Sequence, residues 1–253
     1  MTRATRTPVR PFANSPPGGE PPPWLSSNGE PPRRSRSRRR PCRGGGGLVS
    51  SADIEVTPRA LASPEDWVRI FGRRGPFFVE IGVGRDTFLI DLGKQHPRLC
   101  LLGFEYSPER VERLARKITA AGVTNIRLLR CEALQGIARF LAPESVEAFS
   151  VFFPDPWPKR CHEGKRVVSL PAMRLLASRL MIGGRIYLKT DDRAYAGRMI
   201  EVLERTPFLR NAHGTAQFAP HQGLLAHETL YERKWRKEGR TIFALVYVRT
   251  EEP

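Results

Sequence analysis

The sequence predicts an α/β fold: a mostly parallel seven-stranded sheet with helices on both faces, preceded by a disordered N-terminal extension. Three observations carry that expectation. From Pro76 onward, short apolar runs alternate with longer amphipathic stretches, the pattern of strand–helix units that build a parallel sheet. The first apolar run ends on Glu80-Ile81-Gly82-Val83-Gly84, a glycine-rich turn that leads straight into a helical period, as in Rossmann-like sheets. Residues 1–50 hold mostly Pro, Gly, Ser and Arg and almost nothing apolar to bury, so they do not offset the entropy of ordering.

Taken in order, residues 1–50 form a Pro/Gly/Arg-rich basic tail and residues 51–253 one domain. The tail reads either as an arm that binds RNA nonspecifically, as a solvated charge run, or as an extension outside the functional protein. Its Arg content resembles an organelle transit peptide, but its density of Pro and Gly opposes the amphipathic helix such peptides need. In the domain, residues 77–81, 100–105, 126–129, 148–152 and 185–189 read as strands. Helical periods lie between them at 86–95, 108–121, 133–140, 171–180 and 192–205, several ended by Gly. After Pro207, two further strands are expected near 208–212 and 241–248.

The 253 residues suit one α/β domain with an appendage better than two full domains. The formal charge of +16 favours a polyanionic partner, nucleic acid first. Ten arginines against Glu20 and Glu30 supply half of that surplus, so the domain is basic in its own right. Cys42, Cys100, Cys131 and Cys161 are scattered without metal-ligand spacing, which argues against a zinc site or a disulfide framework and fits a reducing cytosol. With no apolar run long enough to span a bilayer and no apolar signal core, a soluble cytoplasmic protein without membrane partners is expected.

Gly82 and Gly84 allow close backbone approach to a nucleotide-like ligand at the carboxyl end of the first strand. A glycine-rich turn also serves dinucleotide dehydrogenases or a plain tight turn. Two details favour S-adenosyl-L-methionine. The third glycine of the dinucleotide fingerprint would fall on Thr87, and Glu80 precedes the glycines where a carboxylate can meet a cationic amino-acid group. Glu105 ends the second strand at the spacing from which a carboxylate accepts both ribose hydroxyls, a feature shared by S-adenosylmethionine and NAD sites. Glu132 follows the third strand and is placed to serve an adenine amino group, directly or through nearby backbone groups.

After the fourth strand comes Phe152-Phe153-Pro154-Asp155-Pro156-Trp157, followed by Lys159, Arg160, Lys165 and Arg166. The two prolines restrict the backbone on both sides of Asp155 and hold its carboxylate in one direction. Such a carboxylate accepts from N1–H and the exocyclic amine of guanine, which leaves N7 on the opposite edge of the ring. Trp157 offers a stacking surface and the cations offer phosphate contacts.

Together with Gly103-Phe104-Glu105, Lys189-Thr190-Asp191 and Thr229-Leu230-Tyr231-Glu232-Arg233-Lys234, these motifs resemble the tRNA (guanine-N7-)-methyltransferase family of class I S-adenosylmethionine-dependent enzymes, from about Asp66 to Val248. The resemblance implies Glu80, Gly82, Gly84, Glu105, Glu132 and Asp155 at the methyl donor, Asp155 at the reaction centre, and Lys159, Asp191, Thr229 and Glu232 at the tRNA. It implies 7-methylguanosine as product, at position 46 of the variable loop, and no metal. Asp86 stands where the family often has a third Gly, Glu132 where it usually has Asp, and Cys161, Glu163 and Gly164 interrupt the basic run.

N7 already carries an in-plane lone pair, so Asp155 is expected to orient the base and stabilise its developing charge, with no proton to accept. Lys159 also reads as an exposed loop cation, Asp191 as the cap of the helix beginning near Asp192, and His162 and Cys161 as loop residues without catalytic roles. Rival readings are a methyltransferase for another RNA or a protein, a catalytically silent RNA-binding subunit, and, more distantly, an NAD dehydrogenase. Both a monomer and a homodimer fit the sequence.

Overall fold

The structure, a computed structural model, describes residues 51–157 and 166–252. The expected tail and Lys159, with Arg160, Cys161, His162, Glu163, Gly164 and Lys165, lie outside the described residues. The chain opens with α1 (Ser51–Ile54), β1 (Glu55–Val56) and α2 (Asp66–Phe71). The alternating core follows as β2 (Phe77–Ile81), α3 (Phe88–Gln95), β3 (Cys100–Glu105), α4 (Pro108–Ala120), β4 (Ile126–Arg130), α5 (Ala133–Phe140) and β5 (Val146–Phe152). Next come α6 (Leu170–Arg179), β6 (Leu180–Thr190), α7 (Arg193–Glu204), β7 (Leu209–Asn211), α8 (Leu230–Lys237) and β8 (Phe243–Arg249).

Local chemistry sets these boundaries. Helix α4 begins at Ser107, whose hydroxyl accepts from Arg110 N, has Pro108 in its first turn, and buries Val111, Leu114, Ala115 and Ile118 on one stripe. Helices α5 and α7 are capped in the same way by the carboxylates of Glu132 and Asp192. Strands β2 and β3 are buried at every position, as expected for a parallel sheet covered on both faces.

The strand order is β1-β4-β3-β2-β5-β6-β8-β7, with β8 antiparallel to both of its neighbours and the other pairs parallel. Among the described residues there are eight strands where the sequence pattern predicts seven. The additional one, β1, is a two-residue edge strand on β4, too short for any hydrophobic period to register. Strand β6 starts five residues earlier than expected; the pairing with β5 jumps from Val146↔Leu180 to Ala148↔Arg185, and Gly183 at φ +79 lies in the irregular stretch.

Alternate faces of the sheet feed two cores. Val79, Phe104, Phe149 and Leu188 pack with Trp67 and Met173 on one face, and Phe78, Leu101, Leu128 and Tyr187 pack with Phe88 and Leu114 on the other. Trp67 is 1% exposed and donates Nε1–H to Phe140 O at 2.8 Å, which fastens α2 to the end of α5. Strand β2 is flanked by β3 and β5, so successive connections diverge at its carboxyl end and leave a crevice there, the general ligand position in open α/β sheets. Among the described residues, no helix is long and apolar enough to cross a membrane.

Candidate active site

The crevice brings together the turn after β2, the turn after β5 and the segment that opens α8. Glu80 lies near the end of β2, in register with Gly103 on one side and Ser150 on the other. It is 4% exposed, and none of the described residues bonds to its carboxylate. Burial first, and the negative charge of Asp86 second, raise its pKa well above the usual carboxylate range. A cation entering the crevice would relieve both effects.

Gly82 and Gly84 adopt φ +76 and +57, a left-handed conformation that a side chain would strain, and the space beside Gly82 is open. Gly103 answers a different need. A Cβ there would lie 2.6 Å from Val83 Cγ1, so the turn packs against β3 only because this strand position is bare. Glu105 Oε2 accepts from Gly84 N at 3.0 Å while Oε1 accepts from Tyr106 N and Ser107 N, each at 2.9 Å. The Glu105 carboxylate therefore shapes the glycine turn. Glu132 is exposed and turns both oxygens onto its own helix, accepting from Leu134 N at 3.1 Å and Gln135 N at 2.8 Å. Both oxygens are thus engaged with backbone amides at the start of α5. The neighbouring thiol of Cys131 is pushed up to about 11 by burial and by Glu132.

The acidic turn is strained on both sides. Phe153 and Trp157 have φ of 51 and 41, in the left-handed region that side chains rarely adopt, and each such residue costs on the order of 1–3 kcal/mol. The surrounding contacts hold it. Phe153 N donates to Lys189 O at 2.8 Å, and Arg166 donates from Nε to Pro156 O and from its terminal nitrogen to Trp157 O at 2.8 Å. Arg166, read in the sequence as a phosphate contact, thus clamps the turn. Asp155 itself is exposed, and none of the described residues bonds to its carboxylate.

The third wall is the segment from His227 into α8. Lys189 Nζ, from the end of β6, lies 2.6 Å from Glu232 Oε2 and donates to His227 O at 2.8 Å. Burial lowers the Lys189 pKa despite the opposing pull of Glu232. Glu232 Oε1 accepts from Arg236, and Thr229 Oγ1 accepts from Glu232 N at 3.1 Å as the cap of α8. Asp86 Oδ2 accepts from Leu230 N at 2.6 Å. The Tyr231 ring sits 6.4 Å from that of Phe153.

Thr229 and Glu232, expected at the tRNA, are therefore 3% and 1% exposed, and their side chains are engaged within the chain. Asp191 lies at the crevice end of β6 and accepts from Arg240 at 2.7 Å. Capping of α7 is done by Asp192, which accepts from Tyr195 N at 2.8 Å, so the capping reading of Asp191 does not hold. Lys189, Asp86 and Arg240 belong to the site and have no role in the sequence reading. Only the position of Lys189 at a strand end, in a Lys-Thr-Asp run, hinted at its place. Among the described residues, no cluster suits a metal ion.

A family model described as "Putative methyltransferase" matches residues 74–245. The chain is 35% identical over 190 residues to the tRNA (guanine-N(7)-)-methyltransferase of Alkalilimnicola ehrlichii, covering 75% of this chain and 79% of that one. It is 38% identical over 178 residues to the enzyme of the same name from Leifsonia xyli subsp. xyli, covering 70% and 78%. Among solved structures, the aminoglycoside resistance methyltransferase NpmB1 superimposes with a TM-score of 0.52 at 14% identity, over 74% of this chain and 93% of that one. The 16S rRNA methyltransferase KamB gives the same TM-score and identity over 73% and 93%. At that identity the structural likeness concerns the fold alone.

Proposed function

Because the chain belongs to the tRNA (guanine-N7-)-methyltransferase family, we propose that it transfers a methyl group from S-adenosyl-L-methionine to N7 of a guanine in tRNA, at position 46 of the variable loop. The observation that carries this reading is the presence, in one crevice, of a buried carboxylate without a partner among the described residues at a glycine turn and an exposed carboxylate on a strained, proline-flanked turn. The first suits a cationic amino-acid group and the second suits the donor edge of guanine.

The residues fit the methyl donor. Gly82 and Gly84 leave room beside the turn, Glu105 ends the neighbouring strand within hydrogen-bond distance of Gly84 N, and Glu80 has no positive partner among the described residues to offset its burial. We assign Glu80 to the amino-acid group, Glu105 to the ribose hydroxyls, the turn ordered by Glu132 to the adenine, and Asp155 to the boundary between donor and base. When bound, the sulfonium supplies an electrophilic methyl group and a neutral leaving group.

Everything else is positioning and charge. N7 needs no deprotonation, so Asp155 accepts from N1–H and the exocyclic amine, fixes the ring, and stabilises the positive charge that the purine gains. The strained turn keeps this carboxylate from relaxing away. Asp191 and Lys159 serve the tRNA, while Thr229 and Glu232 serve it from behind, by fixing the segment that carries Tyr231 towards the acidic turn. Arg240 balances Asp191 until the substrate arrives.

The test is incubation of the full chain with S-adenosylmethionine and an unmodified tRNA transcript, followed by nucleoside analysis. Formation of 7-methylguanosine supports the proposal. Its absence, or a methyl group on another nucleoside or on protein, overturns it.

A further inference from the structure

One carboxylate joins the first turns of two helices that belong to opposite walls of the crevice. Asp86 Oδ1 accepts from Thr87 N at 2.7 Å and Phe88 N at 3.1 Å, where α3 leaves the glycine turn. Its other oxygen accepts from Leu230 N, the first residue of α8, 144 positions along the chain. Both helix ends present amides that lack partners within their own helix, so both favour a negative charge between them. The acid is held below the ordinary aspartate range: burial pushes it up, but nearby His227 and the amides of Leu230 and Thr87 outweigh burial.

The segment 227–232 is fastened mainly to the other turn. Lys189 holds His227 O and Glu232, and Tyr231 packs near Phe153. Towards the glycine turn it has the Asp86 bond to Leu230 N, the His227 imidazole 4.0 Å from Asp86 and 3.8 Å from Asp91, and the contact of His227 with the Phe88 ring, centroids 5.0 Å apart. Of these, the Leu230 bond at 2.6 Å is the one within ordinary hydrogen-bond distance, and Asp86 is the acceptor in it. We infer that Asp86 is a positioning residue that couples the two halves of the site, so that a ligand in the glycine turn and tRNA on the α8 side bind cooperatively through its bond to Leu230.

This rests on the methyl-transfer reading and goes beyond it. Ordering of the glycine turn by one ligand orients Asp86, which seats the α8 segment in the form that the other ligand uses. By linkage the effect is reciprocal. A glycine at position 86 would cap neither helix and would leave the two walls joined through His227 alone, by its contacts with Phe88 and Asp91.

The experiment is calorimetric titration of S-adenosylhomocysteine into the full chain, with and without a saturating unmodified tRNA transcript. Two variants break the same bond from opposite ends. Asp86→Gly removes the acceptor. Leu230→Pro removes the donor at the first helical position, where proline is accommodated, and Thr229 before it is already extended at φ −69 and ψ 165. In the wild type, tRNA is expected to tighten S-adenosylhomocysteine by about tenfold, and in both variants by no more than about twofold. A variant that is merely less stable weakens binding without changing this ratio. Retention of the wild-type ratio in either variant, or a wild-type ratio near one, overturns the inference. Failure of S-adenosylhomocysteine to bind the wild type at all would remove the methyl-transfer reading and the coupling with it.

Discussion

Lys189 Nζ and Glu232 Oε2 form an ion pair at 2.6 Å with side-chain exposures of 0% and 1%, joining the crevice end of β6 to the first turn of α8. A pair so removed from water is held by its geometry, and removal of one partner strands the other. The two partners are not equivalent. Glu232 keeps Arg236 when Lys189 is lost, whereas Lys189 without Glu232 keeps, among the described residues, the carbonyl of His227 and the face of the Phe152 ring but no carboxylate bond. Glu232→Gln is therefore expected to destabilise the fold by about 3–5 kcal/mol, and Lys189→Met by less, as read from denaturant midpoints. The reverse order would contradict this description of the pair.

Glu80 is expected to lower the stability of the ligand-free protein. A carboxyl whose folded pKa is raised binds its proton more tightly in the folded chain. Stability therefore falls as pH rises above the unfolded value of 4.5 and levels off above the folded pKa. Glu80→Gln removes that slope. Its thermal midpoint at neutral pH should exceed that of the wild type, while its affinity for S-adenosylhomocysteine should fall. Melting curves across pH and one titration check both halves, and a lower midpoint together with unchanged affinity would show that Glu80 faces no cationic group.

Asp155→Asn changes an exposed side chain without a bond among the described residues, so stability is expected to stay within about 0.5 kcal/mol. The single-turnover rate with saturating tRNA should nevertheless drop by about 10²–10³, since a carboxylate that stabilises developing charge has been replaced by a neutral amide. A near-normal rate would remove Asp155 from the reaction centre.

Trp157 separates backbone from ring. Glycine adopts its φ of 41 without strain, so Trp157→Gly keeps the turn and deletes the indole. If the indole stacks on a base, tRNA affinity should fall by about 1–3 kcal/mol while S-adenosylhomocysteine binding holds. Unchanged tRNA affinity would assign Trp157 to the turn alone.

The sheet is legible in the sequence because β2 to β5 are short apolar runs bounded by turn residues, and both carboxylate-bearing turns follow from strand ends. The third wall is legible through the family motif at Thr229 and Glu232 and not through any helical period. Helix α8 reads Leu-Tyr-Glu-Arg-Lys-Trp-Arg-Lys and buries only Glu232, so its one inward residue is a charge and no apolar period marks it. Asp86 reads as a departure from a glycine pattern because its partner is a backbone amide 144 residues away, and main-chain donors leave no trace in composition. The choice between Asp191 and Asp192 as helix cap is a matter of one residue, the scale at which helix boundaries escape sequence patterns.

The central claim is methyl transfer to one guanine N7 of tRNA, and the most direct measurement is site mapping on a tRNA transcript treated with the full chain and S-adenosylmethionine. Borohydride reduction and aniline cleavage cut the strand at 7-methylguanosine. The account expects a single cut at position 46, absent without the methyl donor and strongly diminished with Asp155→Asn. An uncut transcript, or cuts spread over many guanines, would contradict it.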